Sequence, residues 1–229
     1  MSDQAVNLEA FDAFGLGGNF IAQNSTTTTN QEWARMTNAN GKYLKWSNEF
    51  NDITEVTVVY RFNAITGLYS ALPLLGSVHN ALLITEIGLE AVYNDWPTIT
   101  IVGHNHGQNP HADDRNTWDL SSILTLATGE FGAYDWASLA ADATCAQRST
   151  ITASFNHVDA ECEGGDHWVG QNIQAQLTAT VEYIGPLGTP TVANWNISSW
   201  NNNDSNEDFD KSSITIERPL DGTISTDPA

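Results

Sequence analysis

The chain has few basic residues and no long hydrophobic segment. Eight Lys and Arg stand against 28 Asp and Glu in 229 residues, a formal net charge of −20. Such a field repels phosphate backbones and anionic lipid surfaces, so neither nucleic acid nor a membrane is an expected partner. The longest apolar run, around Ala71 to Leu75, is far too short to cross a bilayer. Met1 to Val6 has neither the basic nor the apolar region of a signal peptide, which predicts synthesis in the cytoplasm.

Cysteine is also scarce, and the motifs of common enzyme classes are missing. Cys145 and Cys162 are the only cysteines. In a reducing compartment both are expected to be free thiols, although their position on either side of a predicted strand leaves a disulfide open. Nucleophile-elbow, P-loop and dinucleotide-binding patterns are absent, and no cysteine pair has zinc-ligand spacing. The chain is therefore not expected to be an enzyme.

Alternating apolar and polar residues are the main structural signal that the sequence does contain. Successive side chains of a strand point to opposite faces, so a period of two predicts strands that are buried on one side. Asn94 to Pro97 supplies turn chemistry between two such segments and predicts a hairpin. The predicted strands are residues 55–62, 83–93, 98–102, 150–158, 172–183 and 213–217. Strands separated by turns predict an all-β fold, an antiparallel β-sandwich or a jelly-roll-like arrangement.

The pattern also predicts how the chain is divided. Residues 1–50 are polar with little periodicity and are interpreted as an extended N-terminal arm with loops. Residues 51–220 are expected to form the β-sandwich domain, and residues 221–229 a flexible tail.

Histidines and acidic residues suggest possible metal sites. His104 and His106 form an HxH pair at the end of a predicted strand, and His111 follows, so the three could bind one divalent metal. The pair resembles the opening of a cupin metal site, in which His167 would have to supply the second motif. The same pair could instead hold a metal between subunits on a symmetry axis. Oxygen ligands at Asp204, Asn206, Asp208 and Asp210 suit Ca²⁺. The alternative for each of these groups is an ordinary solvated loop, and no cofactor is expected.

An acidic loop and the tryptophans are further candidates for chemistry or binding. Glu161, Glu163 and Asp166 place carboxylates close together, as glycoside hydrolysis requires, but the glycines beside them indicate an open, flexible loop. Tryptophans in or near loops could stack on sugar rings or anchor protein interfaces, while burial in the core is the plainer interpretation of each. These are Trp96, Trp118, Trp136, Trp168, Trp195 and Trp200.

Two segments resemble β-rich structural proteins of tailed phages as a broad group. They are Asn94-Asp95-Trp96-Pro97-Thr98-Ile99-Thr100-Ile101-Val102-Gly103-His104 and residues 150–185, about a fifth of the chain. The resemblance implies a virion structural protein, a capsid or tail component that forms a homo-oligomer and contacts other structural proteins, and it transfers no site residues. A carbohydrate-binding β-sandwich module is the alternative, and a metal-dependent cupin-like enzyme is a third interpretation.

Overall fold

The computed structural model describes residues 11–16, 20–62, 72–93, 95–105, 116–120, 145–161, 167–192, 194–203 and 209–220. Within these residues the regular structure consists of nine strands. They are β1 (Phe20–Thr37), β2 (Tyr43–Phe62), β3 (Val78–His79), β4 (Leu82–Val92), β5 (Thr98–Asn105), β6 (Cys145–Glu161), β7 (His167–Ile184), β8 (Asn196–Asn203) and β9 (Lys211–Pro219).

The strands pair into one continuous sheet, in the order β1-β2-β5-β4-β6-β7-β9-β8, with β3 joined to β4 alone. Every pairing is antiparallel. The predicted all-β antiparallel class is confirmed. The hairpin predicted around Asn94 to Pro97 is confirmed too, because β4 and β5 flank that turn and pair from Leu83↔His104 to Glu90↔Thr98.

One face of the sheet carries the hydrophobic core. Alternate residues of each central strand are buried, and strand pairing aligns them in rows, such as Tyr60, Ile99, Leu89 and Ile151. The opposite face carries the polar members of the same alternation, among them the half-buried Thr100 and Thr152. Burial of large aliphatic side chains contributes roughly 1.5–3 kcal/mol each, so this one-sided pattern is the main source of stability.

Segments between the strands cover the buried face. Phe14, Leu75, Trp118 and Leu120 are all buried in the same hydrophobic cluster. Gly103 lies on this face, and a Cβ atom added there would stand only 2.8 Å from Phe14 Cε1. Trp118 and Leu75 form a backbone bridge, with N–H···O distances of 3.0 Å in both directions.

The N-terminal segment is anchored at the same place by a polar contact. The Tyr60 hydroxyl donates a hydrogen bond to Asp12 Oδ1 at 2.5 Å. Burial, followed by the Asp12 carboxylate, raises the pKa of the Tyr60 hydroxyl far above its usual range. The hydroxyl therefore stays protonated and keeps the residues around Phe14 against the sheet.

The predicted arm contains more regular structure than its sequence indicates. Residues 20–37 and 43–50, interpreted as arm and loops, belong to β1 and β2, which pair with each other from Phe20↔Phe62 to Thr37↔Tyr43. Among the described residues, β5 pairs with β2 as far as Thr54↔Asn105. Residues 30–53, here named the first ribbon, therefore extend past the sheet as two strands, and the arm in this part of the chain is a hairpin.

The predicted acidic loop at 201–210 and the cysteines can also be compared with the structure. β8 begins at Asn196, so residues 201–203 of the predicted acidic loop belong to a strand. Its eight side chains are all exposed, and without a buried face they have no periodic signal. Cys145 is an exposed free thiol, as expected. The predicted tail at 221–229 and Cys162 lie outside the described residues.

Candidate functional site

The first candidate site is the histidine at the end of β5. His104 follows Gly103 of the core face, so it lies on the polar face, where strand pairing places it beside Glu55 of β2. The His104 Nε2 atom is 3.0 Å from Glu55 Oε2. About a quarter of the His104 side chain and nearly half of the Glu55 side chain are exposed, so solvent screens the pair.

A second carboxylate lies nearby on the same face. Glu86 of β4 is opposite Val102 of β5, two residues before His104. Burial, and then the charge of Glu55, raises the pKa of Glu86 above its usual range. The end of β5 is therefore an acidic, partly buried environment in which a histidine is paired with a carboxylate.

The predicted metal site is represented in the structure by His104 alone. His106 and His111 lie outside the described residues, and so do Asp204, Asn206 and Asp208 of the predicted Ca²⁺ loop. Among the residues that the structure does describe, no three His, Cys, Asp or Glu side chains are grouped to hold a metal ion. The backbone of His167 opens β7, three strands away from β5 in the sheet, so the structure does not bring it beside His104.

A buried polar cluster joins the strand pair β6–β7 to the loops over the core. The Asn172 side chain is almost wholly buried, and its Nδ2 donates to Asn116 O at 2.9 Å and to Gly76 O at 3.4 Å. Its Oδ1 must then accept the hydrogen bond from His157 Nδ1, at 2.7 Å. Asn116 Nδ2 also donates to Asn172 O, at 3.3 Å. Every hydrogen-bonding atom of the Asn172 side chain is used, which marks a structural role.

An open groove lies at the other end of the sheet, where β7, β8 and β9 meet. It has a volume of about 600 Å³. Glu182, Ser213 and Asn201 lie in one row of the polar face, and the Ser213 hydroxyl donates to Asn201 Oδ1 at 2.9 Å. The groove is lined by Gln147, Glu182, Tyr183, Ile184, Asn201, Asn203, Phe209, Lys211, Ser212 and Ser213.

Phe209 gives this groove an apolar surface among polar groups. The Phe209 side chain is 70% exposed. An exposed ring beside a carboxylate, amides and a hydroxyl can stack on an apolar ligand face while the polar groups accept and donate hydrogen bonds. Sequence reasoning missed Phe209 because it searched the tryptophans, and a single phenylalanine in an acidic loop has no distinctive spacing.

The tryptophans predicted as ligand platforms have different surroundings. Trp118 is buried in the core, and Arg218 stacks over the Trp195 ring at 4.9 Å. Trp96 and Trp200 are 40% and 45% exposed. Trp136 lies outside the described residues, and of Trp168 only the backbone, in β7, is described. Of the tryptophans that the structure describes, some are therefore packed against other side chains and others are exposed, and they do not form a common site.

Comparison with known proteins gives no family for this chain. No protein-family model and no curated protein matches it. In the part of the chain that the structure describes, no helix has the length and apolar character needed to span a membrane.

Proposed function

We propose that this chain is a structural assembly protein, a virion component of a tailed phage or similar virus that forms a homo-oligomer. The observation that supports it is a pair of two-stranded ribbons that leave one end of the sheet. The first ribbon is residues 30–53, and the second ribbon is residues 158–161 of β6 paired with residues 167–171 of β7. A protein that acts alone has no evident use for two such projections, whereas an assembly uses them to reach its neighbours.

Strand direction places the two ribbons at the same end. β5 reaches its end at Asn105, next to Thr54, where the first ribbon departs. β4 starts at that end, and β6 runs antiparallel to it, with Glu86 opposite Ser154. The continuation of β6 past Ser154 therefore points in the same direction as the first ribbon.

The first ribbon is expected to be unstable without a surface to pack against. Its eight residues from Asn30 to Thr37 span roughly 26 Å at about 3.3 Å per residue. A two-stranded hairpin is at best marginally stable in water, and a third strand or a packed surface is needed to support it. Among the described residues, no third strand pairs with this ribbon. Packing on another subunit would supply the missing surface.

The charges of the ribbons support contact between copies. The first ribbon contains Arg35, Lys42 and Lys45 against Glu32, Glu49 and Asp52, and so is neutral in a chain of net charge −20. It holds three of the eight basic residues of the chain. The second ribbon contains Asp159 and Glu161 and no Lys or Arg, and the sequence between its two strands adds Glu163 and Asp166. A ribbon with basic residues on an acidic neighbour lowers the repulsion that otherwise opposes self-association.

Shortening the first ribbon tests the proposal. Residues 31–52 are replaced by Asn-Gly, which closes the hairpin between Asn30 and Ile53 with a two-residue turn. We expect the unaltered protein to form a defined oligomer by native mass spectrometry, and the shortened protein to lose it while retaining a cooperative thermal transition. The matched control closes the second ribbon between Val158 and Gln171 in the same way, which retains the bonded pair His157 and Asn172. We expect a smaller loss there, because this variant retains all eight Lys and Arg residues and leaves the first ribbon able to pack on a neighbour.

Two results would contradict the proposal. One is an unaltered protein that stays monomeric at every concentration, alone and when mixed with the other proteins of its virion. The other is a shortened protein whose oligomer is as large and as stable as that of the unaltered chain.

The groove favours a second candidate function, carbohydrate binding. Phe209 would stack on a sugar ring, with Glu182 and Asn201 hydrogen bonded to its hydroxyls. We expect Phe209→Ala to abolish retention on a glycan array, because the stacking surface is lost, whereas Phe11→Ala, at an equally exposed phenylalanine outside the groove, leaves it unchanged. An unaltered protein that binds no glycan on such an array would remove this candidate.

A further inference from the structure

Both edges of the sheet contain long segments without a charged residue. β1 forms one edge and β8 the other. Residues 20–31 of β1 and all eight residues of β8 contain no Asp, Glu, Lys or Arg, in a chain with 36 such residues. Soluble proteins commonly protect an exposed edge with lysine, proline or a charged side chain, because unpaired N–H and C=O groups invite another strand. Among the described residues, β8 and residues 20–31 of β1 lack such side chains, and charge appears on the β1 edge only at Glu32 and Arg35.

The two edges run in opposite directions. β1 to β8 is a path of eight strands in which every neighbour is antiparallel, so the first and last strands are antiparallel to each other. A rotation about an axis parallel to the strands keeps those directions. It therefore brings β8 of one copy against β1 of the next in antiparallel register, the pairing already used throughout the sheet. Such a contact joins two different surfaces and generates a ring or a helical array.

Strand lengths along the sheet form a repeating pattern. In spatial order the strands have 18, 20, 8, 11, 17, 18, 9 and 8 residues. Two long strands that form a ribbon thus alternate with two short strands, twice. Joining β8 to the next β1 continues this alternation without interruption, whereas joining two β8 edges or two β1 edges would break it. The continued order also alternates the neutral first ribbon with the acidic second ribbon.

The β8 edge is held in position and leaves apolar surface uncovered. Asn202 Nδ2 donates to Leu187 O at 2.8 Å, and Leu187 N donates to Asn202 Oδ1 at 3.0 Å, which fixes the strand to the preceding loop. Ile197 and Trp200 lie opposite the buried Ile216 and Ile214, so they belong to the core face, yet they are 36% and 45% exposed. On β1 the buried core-face residues are Phe20 and Ala22, and the polar Ser25 and Thr27 follow them on the same face, opposite Val58 and Val56. A neighbouring β1 would extend the hydrophobic core over Ile197 and Trp200.

We infer that copies of this chain join edge to edge, with β8 of one copy paired to β1 of the next, so that one sheet continues around the assembly. This inference rests on the proposed assembly function and adds its contact. Backbone hydrogen bonds provide the attraction, and the lack of charge on β8 and on residues 20–31 of β1 avoids charge repulsion between the paired strands.

Cross-linking between single-cysteine variants tests the contact. In the full chain with Cys145→Ser and Cys162→Ser, Ser199→Cys is placed on the polar face of β8, and Asn24→Cys, Thr26→Cys and Thr28→Cys on the polar face of β1 in separate proteins. Each β1 variant is mixed with the β8 variant and treated with a short bismaleimide. We expect a cross-linked dimer in at least one mixture. The control is Gln176→Cys, an exposed residue of β7 on the same face. It should give no dimer with any β1 variant.

The outcomes separate this inference from the proposed function. Dimers in the mixtures, together with multimers from a chain that carries both cysteines, would support head-to-tail pairing. Dimers of Ser199→Cys with itself would overturn it in favour of a two-fold contact between β8 edges. If native mass spectrometry shows an oligomer and no mixture cross-links, the edge contact is wrong while the assembly function stands. If the chain is monomeric throughout, both fail.

Discussion

Replacement of Gly76 by alanine is expected to destabilise the protein by roughly 3 kcal/mol or more, from left-handed backbone strain together with overpacking. Gly76 has φ +83°, a conformation that side chains disfavour. An added Cβ atom would also stand 2.5 Å from Asn116 O and 2.7 Å from Asn172 Nδ2. The first of these atoms is backbone and cannot move aside without breaking the contacts around Trp118. Urea denaturation monitored by tryptophan fluorescence measures the loss.

Gly41 provides the matched control for this prediction. Its φ is +74°, but a Cβ atom there meets nothing within 4 Å. Gly41→Ala therefore incurs the backbone strain without the collision, about 1–2 kcal/mol. Both variants are measured at the same protein concentration, because assembly stabilises the folded state by mass action. Equal losses at the two positions would show that the packing around Gly76 is unimportant.

Asn172→Ala is expected to cost roughly 2–4 kcal/mol, because it leaves buried hydrogen-bonding partners unsatisfied. The substitution removes the acceptor of His157 Nδ1 and the donor to Asn116 O, and it opens a cavity where the amide was. The loss should appear as a fall in melting temperature of roughly 4–16 °C for a domain of this size. Differential scanning calorimetry, with concentration held constant, is the measurement.

Asn156 provides an exposed comparison on the neighbouring strand. Its Nδ2 donates to Gln174 Oε1 at 2.7 Å in an exposed pair. Asn156→Ala should change stability by no more than about 0.5 kcal/mol, because water replaces the lost partner. A similar loss in both variants would mean that burial of Asn172 has little energetic consequence.

The effects of Gly76→Ala and Asn172→Ala are coupled, because a Cβ atom at Gly76 would collide with Nδ2 of Asn172. In a double-mutant cycle, Gly76→Ala should cost less in an Asn172→Ala background than in the unaltered chain. The collision with Asn116 O remains, so the relief should be partial. Strict additivity would argue against direct contact between the two sites.

The sequence by itself determined the fold class and the buried central parts of the sheet. Nearly all of β4, more than half of β5, β6, β7 and β9, and less than half of β2 could be predicted, because one face of these segments is buried and a period of two reflects that burial. The same pattern could not reveal β8, whose side chains are all exposed, or the strands of the first ribbon, whose residues show little periodicity. Where a strand is paired but neither face is buried, its sequence does not alternate between apolar and polar residues, and periodicity cannot reveal it.

Only the tertiary structure decided which distant residues meet. Gly76, Asn116 and Asn172 are spread over nearly a hundred positions and converge because β7 passes beneath two loops. Pairing of β2 with β5 placed Glu55 beside His104, the one member of the predicted metal site that the structure describes. The common direction of the ribbons and the opposed direction of the two edges follow from strand order. Strand order depends on which hydrophobic faces pack together over long separations, and the local pattern of a single strand does not encode it.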